Sequence, residues 1–139
     1  MKIVWLMLCL VVLNGCVTGT PIKRTHLQSF EQDIGYTQVV QHGNTLYLSG
    51  VAVSGPDMNQ AVNTAYTIIG DVLKQHGSGF EWVVKETVFT TDMAALKAHI
   101  ETRKAYYPKG TYPSSSWVEV SGLFLPQLIL EVEVQAVIP

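Results

Sequence analysis

A helical repeat of apolar residues in the middle of the chain constrains the fold more than any other feature of the sequence. The repeat has the three- and four-residue spacing of one helix face and consists of Ala61, Val62, Ala65, Ile68, Ile69, Val72 and Leu73. Asp57 stands where a helix cap is expected, and His76-Gly77-Ser78-Gly79 predicts the end of the helix. A helix with one apolar face needs a second layer of structure to cover it.

Segments with the composition of strands lie on both sides of this helix and supply that layer. Residues 36–41 and 45–53 are joined by His42-Gly43-Asn44, which predicts an antiparallel hairpin. Further strands are predicted at residues 82–91, 115–120 and 128–138. A second helix is predicted to begin at an Asp92 cap and to end at Pro108-Lys109-Gly110.

The order of these elements predicts an α+β fold with a single mixed sheet and two helices packed on one face. In the strand at residues 115–120, the alternation assigns Ser116, Val118 and Val120 to the helix side. Ser115 and Trp117 then lie on the uncovered face with Glu131. Burying a large apolar side chain contributes about 1.5 to 3 kcal/mol, so we expect another subunit to cover Trp117.

Composition limits the function. The chain has 139 residues, a formal net charge of -2, 47% hydrophobic residues and 14% charged residues, which is typical of one compact domain. A nearly neutral chain lacks the basic field that phosphate binding needs, so nucleic acid is not an expected partner.

The N-terminus has the features of an export signal. Met1-Lys2 precedes the apolar run at residues 3–13, which is too short to span a bilayer and fits a signal-peptide core, with a buried core helix as the alternative. Leu13-Asn14-Gly15-Cys16 resembles the lipobox of bacterial lipoproteins, which implies a lipidated Cys16 and a membrane anchor.

The predicted domains are therefore a lipoprotein signal peptide at 1–15, the lipidated cysteine and a tether at 16–22, and a folded domain at 23–139. Val17 after the cysteine favours the periplasmic face of the outer membrane if the host is Gram-negative. The other cysteine, Cys9, lies in the segment that is removed, so no disulfide or cysteine metal site is expected in the domain.

Four blocks in the domain resemble the RidA/YjgF family. They are Gly35-Tyr36-Thr37-Gln38, Gly43-Asn44-Thr45-Leu46-Tyr47-Leu48-Ser49-Gly50, Val84-Lys85-Glu86-Thr87-Val88-Phe89-Thr90-Thr91-Asp92-Met93 and Leu130-Glu131-Val132-Glu133. The resemblance runs in register from about Arg24 to the end of the chain. It implies a chorismate mutase-like fold and a homotrimer formed around the open faces of the sheets, with ligand clefts between subunits.

The resemblance also implies an activity, because enzymes of this family hydrolyse reactive enamines and imines. They use an arginine that clamps the substrate carboxylate and a glutamate that positions water. Glu131 matches the glutamate and Tyr36 matches a tyrosine near the cleft. Ser115 stands where the arginine is expected, and Trp117 stands where a small residue is expected.

Two helix positions also bear on this chemistry. Ile100 occupies a position where the imine deaminases often carry asparagine. Arg103 follows one helical turn later and is considered as a substitute for the missing arginine. A hydrogen bond to a charged group contributes about 1.5 to 3 kcal/mol and a neutral one about 0.5 to 1.5 kcal/mol. A carboxylate ligand is therefore expected to bind less tightly to Ser115.

Other candidate sites have weaker patterns. Ser114, Ser115 and Ser116 have no nucleophile-elbow motif and no histidine placed as a base. The four histidines, at 26, 42, 76 and 99, lack paired spacing, so no metal and no cofactor are expected. Glu131 and Glu133 share a strand face, as either an acid/base pair or a polar surface.

Two hypotheses about function follow. The first is a membrane-anchored, trimeric protein of this type that lacks standard 2-imino acid deaminase activity and binds a small ligand or partner between subunits. The second is an enzyme, a divergent enamine or imine deaminase in which Glu131 orients water. The sequence leaves the presence of enzymatic activity and the identity of the ligand open.

Overall fold

The computed structural model describes residues 19–139. The strands are β1 (Ile22–Thr25), β2 (Val39–His42), β3 (Thr45–Val53), β4 (Val83–Thr90), β5 (Ser114–Glu119) and β6 (Leu130–Val137). The helices are α1 (Phe30–Ile34), α2 (Met58–Gln75), α3 (Met93–Ala98) and α4 (Ile100–Lys104), with a 3-10 turn at Phe80–Trp82. The predicted signal peptide and the lipobox with Cys16 lie outside the described residues. Among residues 19–139, no helix is long and apolar enough to cross a membrane.

The strands form one six-stranded mixed sheet in the order β1-β2-β3-β6-β4-β5. All neighbouring pairs are antiparallel except β4 and β5, which are parallel and place β5 at the edge of the sheet. The crossover between β4 and β5 contains α3 and α4, as a parallel connection requires. The predicted α+β fold with a single mixed sheet is confirmed.

Helix α2 packs across β3 and β6 and forms the centre of the core. Its N-terminus is capped as predicted, because Asp57 Oδ1 accepts a 2.8 Å hydrogen bond from the backbone N–H of Gln60. The buried residues of α2 are Met58, Ala61, Val62, Ala65, Tyr66, Ile69, Val72 and Leu73. They face the inward side chains of β6, which are Leu130, Val132, Val134 and Ala136. Ile68, which the repeat included, is 39% exposed.

Two elements near the N-terminus were not predicted. Strand β1 pairs with β2, and α1 follows it. The buried carboxylate of Glu31 stabilises this region by accepting hydrogen bonds from the backbone N–H groups of Leu27, Gln28 and Gln38, at 2.9, 2.8 and 3.0 Å. Strand β1 depends on its pairing with β2, a contact between separate segments that hydrophobic periodicity does not detect.

The second predicted helix is two short helices. His99 lies between α3 and α4 with φ -114° and ψ 24°, outside the helical region, and its N–H donates to Leu96 O at 3.0 Å. This interruption ends α3 one turn early and gives α4 its own first turn. The prediction of one continuous helix was therefore wrong.

The predicted faces of β5 were also wrong. Ser115 and Trp117 pair in register with Glu86 and Val88 of β4, which are buried against the helices. Ser115 and Trp117 therefore lie on the helix side of the sheet, and Ser116 lies on the open side, where it accepts a 2.9 Å hydrogen bond from Lys85 Nζ. Trp117 is partly buried by contacts within its own chain. The expectation that another subunit covers Trp117 therefore has no support from this side chain.

Candidate functional site

Glu131 lies on the open face of β6, opposite Ala52 of β3 and Phe89 of β4. Its side chain lies over Gly50, where the pairing of β3 and β6 is interrupted between Leu48 and Val51. An ideal Cβ built on Gly50 would overlap Glu131 Oε1 and lie 2.6 Å from Glu131 Cδ. The absence of a side chain at Gly50 therefore makes room for the Glu131 carboxylate against the sheet.

The surroundings of Glu131 favour its protonated form. Partial burial raises the pKa of the Glu131 carboxyl above its usual value, and the negative charge of Glu133 raises it further. Burial raises the pKa of Tyr36, and the negative charges of Glu31 and Glu131 raise it further, so Tyr36 lies within the electrostatic field of Glu131. A half-buried carboxyl of this kind is suited to exchanging a proton with a bound water or ligand.

Ser115 belongs to a different cluster, which is centred on the buried carboxylate of Glu86. Glu86 Oε1 accepts hydrogen bonds from the Ser115 hydroxyl at 2.8 Å, from Arg103 Nε at 2.9 Å and from Arg103 Nη2 at 2.8 Å. Glu86 Oε2 accepts from the hydroxyls of Tyr66 at 2.8 Å and Tyr107 at 2.5 Å. Every oxygen of this buried carboxylate therefore has at least two donors, as a buried charge requires.

Aromatic rings enclose the cation of this cluster. The Arg103 guanidinium carbon lies 4.9 Å from the centre of the Tyr107 ring and 5.5 Å from that of Trp117. Trp117 Nε1 donates a 2.7 Å hydrogen bond to Ser115 Oγ, so Ser115 accepts from Trp117 and donates to Glu86. We call Glu86, Arg103, Ser115, Trp117, Tyr66 and Tyr107 the Glu86 cluster.

The electrostatics of the Glu86 cluster keep its donor groups, Arg103, Tyr66 and Tyr107, protonated. Burial alone lowers the pKa of Arg103, but Glu86 reverses this effect, and the pKa ends above its ordinary value. Burial and the negative charge of Glu86 raise the pKa values of the Tyr66 and Tyr107 hydroxyls far above their usual range. Arg103 is therefore charged, and both phenols remain hydrogen-bond donors.

The four predicted site residues inside the described range fall into two groups. Tyr36 and Glu131 share one electrostatic environment, and Ser115 and Trp117 share the Glu86 cluster. Ser115 and Glu131 lie on opposite faces of the sheet, with β4 between β5 and β6. One copy of the chain does not bring Ser115 and Glu131 together. The fifth predicted residue, Cys16, lies outside residues 19–139.

Sequence reasoning missed Glu86, Tyr66 and Tyr107 and gave Arg103 only a minor role. Glu86 alternates in step with Val88 and Thr90, which are buried residues of β4. A glutamate at such a core position is unusual, and it could have indicated a buried charge. Arg103 is likewise four residues before the buried Tyr107, on the inward side of the crossover. Two charged residues of opposite sign at inward positions indicate a buried ion pair.

The other candidate residues have ordinary roles in the structure. His76 Nδ1 lies 2.9 Å from Val72 O, and His26 Nδ1 lies 3.3 Å from Glu31 Oε2. Within residues 19–139, no group of three or more His, Cys, Asp or Glu side chains is arranged to hold a metal ion. The Ser115 hydroxyl contacts Glu86 and Trp117, an arrangement without the histidine base of a serine nucleophile.

The chain is similar to a family of known proteins over most of its length. Residues 27–138 match the family described as Endoribonuclease L-PSP. The 2-iminobutanoate/2-iminopropanoate deaminase of Mus musculus is 32% identical over an alignment of 96 residues that covers 63% of this chain and 70% of the mouse protein. A RutC family protein of Synechocystis is 29% identical over 113 residues, covering 75% of this chain and 86% of that protein.

Solved structures have the same architecture. A member of the YjgF/YER057c/UK114 family from Mycobacterium tuberculosis superposes with a TM-score of 0.77 at 27% sequence identity, covering 84% of this chain and 99% of that chain. A YjgF family protein from Neisseria meningitidis gives a TM-score of 0.76 at 20% identity, covering 86% of this chain and 97% of that chain. The second likeness concerns the fold alone.

Proposed function

Because the chain belongs to the Endoribonuclease L-PSP (RidA/YjgF) family, we propose that it is a divergent member without standard 2-imino acid deaminase activity that binds a small ligand lacking a carboxylate. The observation that carries the proposal is the bonding of Ser115. Its hydroxyl is held between Trp117 and Glu86, at the position where the family resemblance implies a carboxylate-clamping arginine.

Arg103 does not supply the missing function. Its Nε and Nη2 groups both donate to Glu86, and its side chain is only 7% exposed. A buried guanidinium that already pairs with an internal carboxylate is poorly placed to bind a second carboxylate from solvent. Replacing a charged hydrogen bond by a neutral one weakens the binding of a carboxylate ligand on the order of tenfold.

The ligand cleft in this proposal lies between subunits of a homotrimer. The positions of Ser115 and Glu131 on opposite faces of one sheet support it, because a cleft containing both needs residues from two copies of the chain. The open face carries polar and partly exposed side chains, including Tyr47, Lys85 and Thr87. Sedimentation equilibrium of the full-length chain tests the assembly, and a monomer at micromolar concentration would contradict it.

A second candidate function is a divergent enamine or imine hydrolase, and the environment of Glu131 favours it. The carboxyl lies over Gly50, its pKa is raised, and its charge acts on Tyr36, which suits the orientation of a water molecule. In this case the substrate is an imine without a carboxylate. The net charge of -2 gives no support to an RNA substrate, although the family description contains the word endoribonuclease.

We also propose that the protein is exported and held at a membrane by lipid on Cys16. The apolar run and the lipobox-like Leu13-Asn14-Gly15-Cys16 support this part of the proposal. Two or more acyl chains are sufficient for stable anchoring without a membrane-spanning helix. The domain would then meet its ligand outside the cytoplasm.

The deciding experiment measures hydrolysis of 2-aminoacrylate generated in situ, with the full-length chain in detergent. We expect the wild-type chain not to accelerate the reaction and Ser115→Arg to gain activity. Arg103 already pairs with Glu86, so the charge of the new guanidinium remains available for the substrate. Ser116→Arg, on the opposite face of the same strand, is the matched control and should gain nothing. Clear acceleration by the wild-type chain would overturn the proposal.

A further inference from the structure

The surroundings of the Glu86 carboxylate have the composition of a binding site for a carboxylate ligand. We infer that the pocket formed by α2, α4, Tyr107 and β5 is a carboxylate-binding site whose ligand is the chain's own Glu86, and that Glu86 thereby excludes external carboxylates from Arg103. The donors are four residues from three parts of the chain, namely Tyr66 of α2, Arg103 and Tyr107 in and just after α4, and Ser115 of β5.

The first support is the completeness of the donor set. One oxygen of the carboxylate receives two N–H groups of Arg103 and one hydroxyl, and the other receives two phenol hydroxyls. Guanidinium and hydroxyl donors are the groups that proteins use to bind carboxylates. Among residues 19–139, no buried side-chain nitrogen or oxygen lacks a hydrogen-bond partner, so the cluster is satisfied with Glu86 in place.

The second support is the rigidity of the receptor. The rings of Tyr107 and Trp117 lie against the Arg103 guanidinium, and the Trp117 indole N–H fixes the Ser115 hydroxyl. Tyr66 and Tyr107 meet edge to face with ring centroids 6.2 Å apart. The donors are therefore held in place by contacts with one another as well as by Glu86.

The third support is the attachment of the ligand. Glu86 extends from the middle of β4, between β5 and β6, so its carboxylate is delivered by a strand that is paired on both sides. A tethered group has a high effective concentration at its site, and an external carboxylate of similar affinity does not displace it. Glu86 is in this sense a specificity-determining residue.

The consequence for ligand choice rests on the proposed function, but the occupancy of the site by Glu86 does not. If the cleft between subunits extends to Ser115, a ligand in the cleft lies next to the Glu86 cluster. The charge of Arg103 is already neutralised there by Glu86. A ligand with a carboxylate then has no free guanidinium to pair with, and uncharged ligands are favoured. The proposed absence of 2-imino acid deaminase activity then has two causes, the serine at position 115 and the pairing of Arg103 with Glu86.

Acetate provides a direct test, because Glu86→Ala removes four heavy atoms with the shape and charge of acetate. We expect acetate to raise the thermal midpoint of the full-length Glu86→Ala chain in a saturable manner, by roughly 5 °C or more at saturation. Chloride at equal ionic strength and acetamide, a neutral molecule of similar shape, should have little effect. The wild-type chain should not respond, because Glu86 occupies the site.

Two further variants identify the donor and the specificity of the response. Glu86→Ala combined with Arg103→Met should be folded, since an apolar replacement of a buried ion pair is tolerated, and should not respond to acetate. Glu133→Ala, which removes an exposed carboxylate from β6, should behave like the wild-type chain.

The outcomes separate this inference from the proposed function. If Glu86→Ala is unfolded in chloride, acetate is expected to restore its cooperative transition in circular dichroism. A Glu86→Ala chain that neither refolds nor gains stability in acetate overturns the inference, as does an equal response of the double variant. Deaminase activity of the wild-type chain overturns the proposed function and leaves the acetate result unaffected.

Discussion

The indole N–H of Trp117 donates a 2.7 Å hydrogen bond to the hydroxyl of Ser115, two residues earlier on the same face of β5. This bond links the edge strand to the Glu86 cluster, because the same hydroxyl donates to Glu86. Trp117 therefore contributes to the folded chain through one polar contact and through its ring, which lies against Arg103.

The first prediction separates these two contributions of Trp117. Trp117→Phe retains a ring but loses the N–H, and we expect the free energy of unfolding to fall by about 1 kcal/mol. Trp117→Ala also loses the packing, and we expect a fall of about 2 to 3 kcal/mol. Urea denaturation measures both. Trp82→Phe, at a position that is 42% exposed, is the control and should be nearly neutral. Equal effects of Phe and Ala at position 117 would exclude a packing role.

The second prediction concerns the pair of Arg103 and Glu86. Arg103→Met leaves a buried carboxylate without its cation, and we expect a loss of about 3 to 5 kcal/mol in the free energy of unfolding. Glu86→Leu in the same chain should recover most of this loss, because the uncompensated charge is removed. A double-mutant cycle from denaturant curves gives the coupling. Lys104→Met, in an exposed pair with Glu101, should give no measurable change.

The third prediction concerns acid stability through Glu31. Burial alone raises the pKa of Glu31, but the backbone N–H donors of Gln38, Gln28 and Leu27 outweigh it, and the pKa ends below its ordinary value of 4.5. The folded chain therefore binds this proton less readily than the unfolded chain. Its contribution to stability is present above pH 4.5 and is lost as the pH falls through the lowered pKa.

We expect Glu31→Gln to be less stable than the wild-type chain at neutral pH and to show a smaller loss of stability on acidification. Thermal midpoints measured from neutral pH down to about pH 3 test this expectation. Asp33→Asn, on the exposed side of the same helix, is the control. A Glu31→Gln chain that loses stability in parallel with the wild-type chain would show that Glu31 does not set the acid limit.

The fourth prediction concerns Glu131, whose pKa is shifted in the opposite direction to that of Glu31. Burial and Glu133 raise the pKa of Glu131 above 4.5, so the folded chain binds this proton more readily than the unfolded chain. The contribution of Glu131 is fully present below pH 4.5 and is lost as the pH rises through the raised pKa. We therefore expect Glu131→Gln to be slightly more stable than the wild-type chain at neutral pH. Denaturant midpoints test this, and any hydrolase activity should fall in the same variant.

The fifth prediction concerns the anchor. Cys16→Ser removes the sulfur that would carry the lipid, and we expect the protein to move from the membrane fraction to the soluble fraction. Cys9→Ser, inside the predicted signal peptide, should leave the distribution unchanged. Fractionation followed by immunoblotting measures both. An unchanged distribution of the Cys16→Ser chain would refute the lipobox interpretation.

Local patterns predicted the regular parts of the fold. Strand β3 has the predicted bounds, and α2 begins after the predicted Asp57 cap, because alternation, helical spacing and capping are properties of neighbouring residues. Strand β1 depends on pairing with β2, and α1 depends on the hydrogen bonds of Glu31 with residues on both sides of it. The pairing of β1 joins separate segments and leaves no local pattern, and the bonds of Glu31 are local but polar, so hydrophobic periodicity does not detect them.

The candidate site was harder to predict for a different reason. Alternation assigns polar residues to the exposed face, so it placed Ser115 away from the helices. A buried glutamate reverses this preference, because Glu86 needs hydrogen-bond donors on the core side. The face of β5 follows from the need to satisfy one buried charge, and the register of β4 with β5 places Ser115 beside that charge.

The Glu86 cluster also has a spectroscopic consequence for two of its members, Tyr66 and Tyr107. Tyr66 and Tyr107 are 1% and 4% exposed and hold their protons against burial and a neighbouring negative charge. They therefore retain the absorbance of the neutral phenol in alkali for as long as the core is closed. We expect their ionisation to coincide with the opening of the core, so that these two phenols serve as an intrinsic reporter of unfolding.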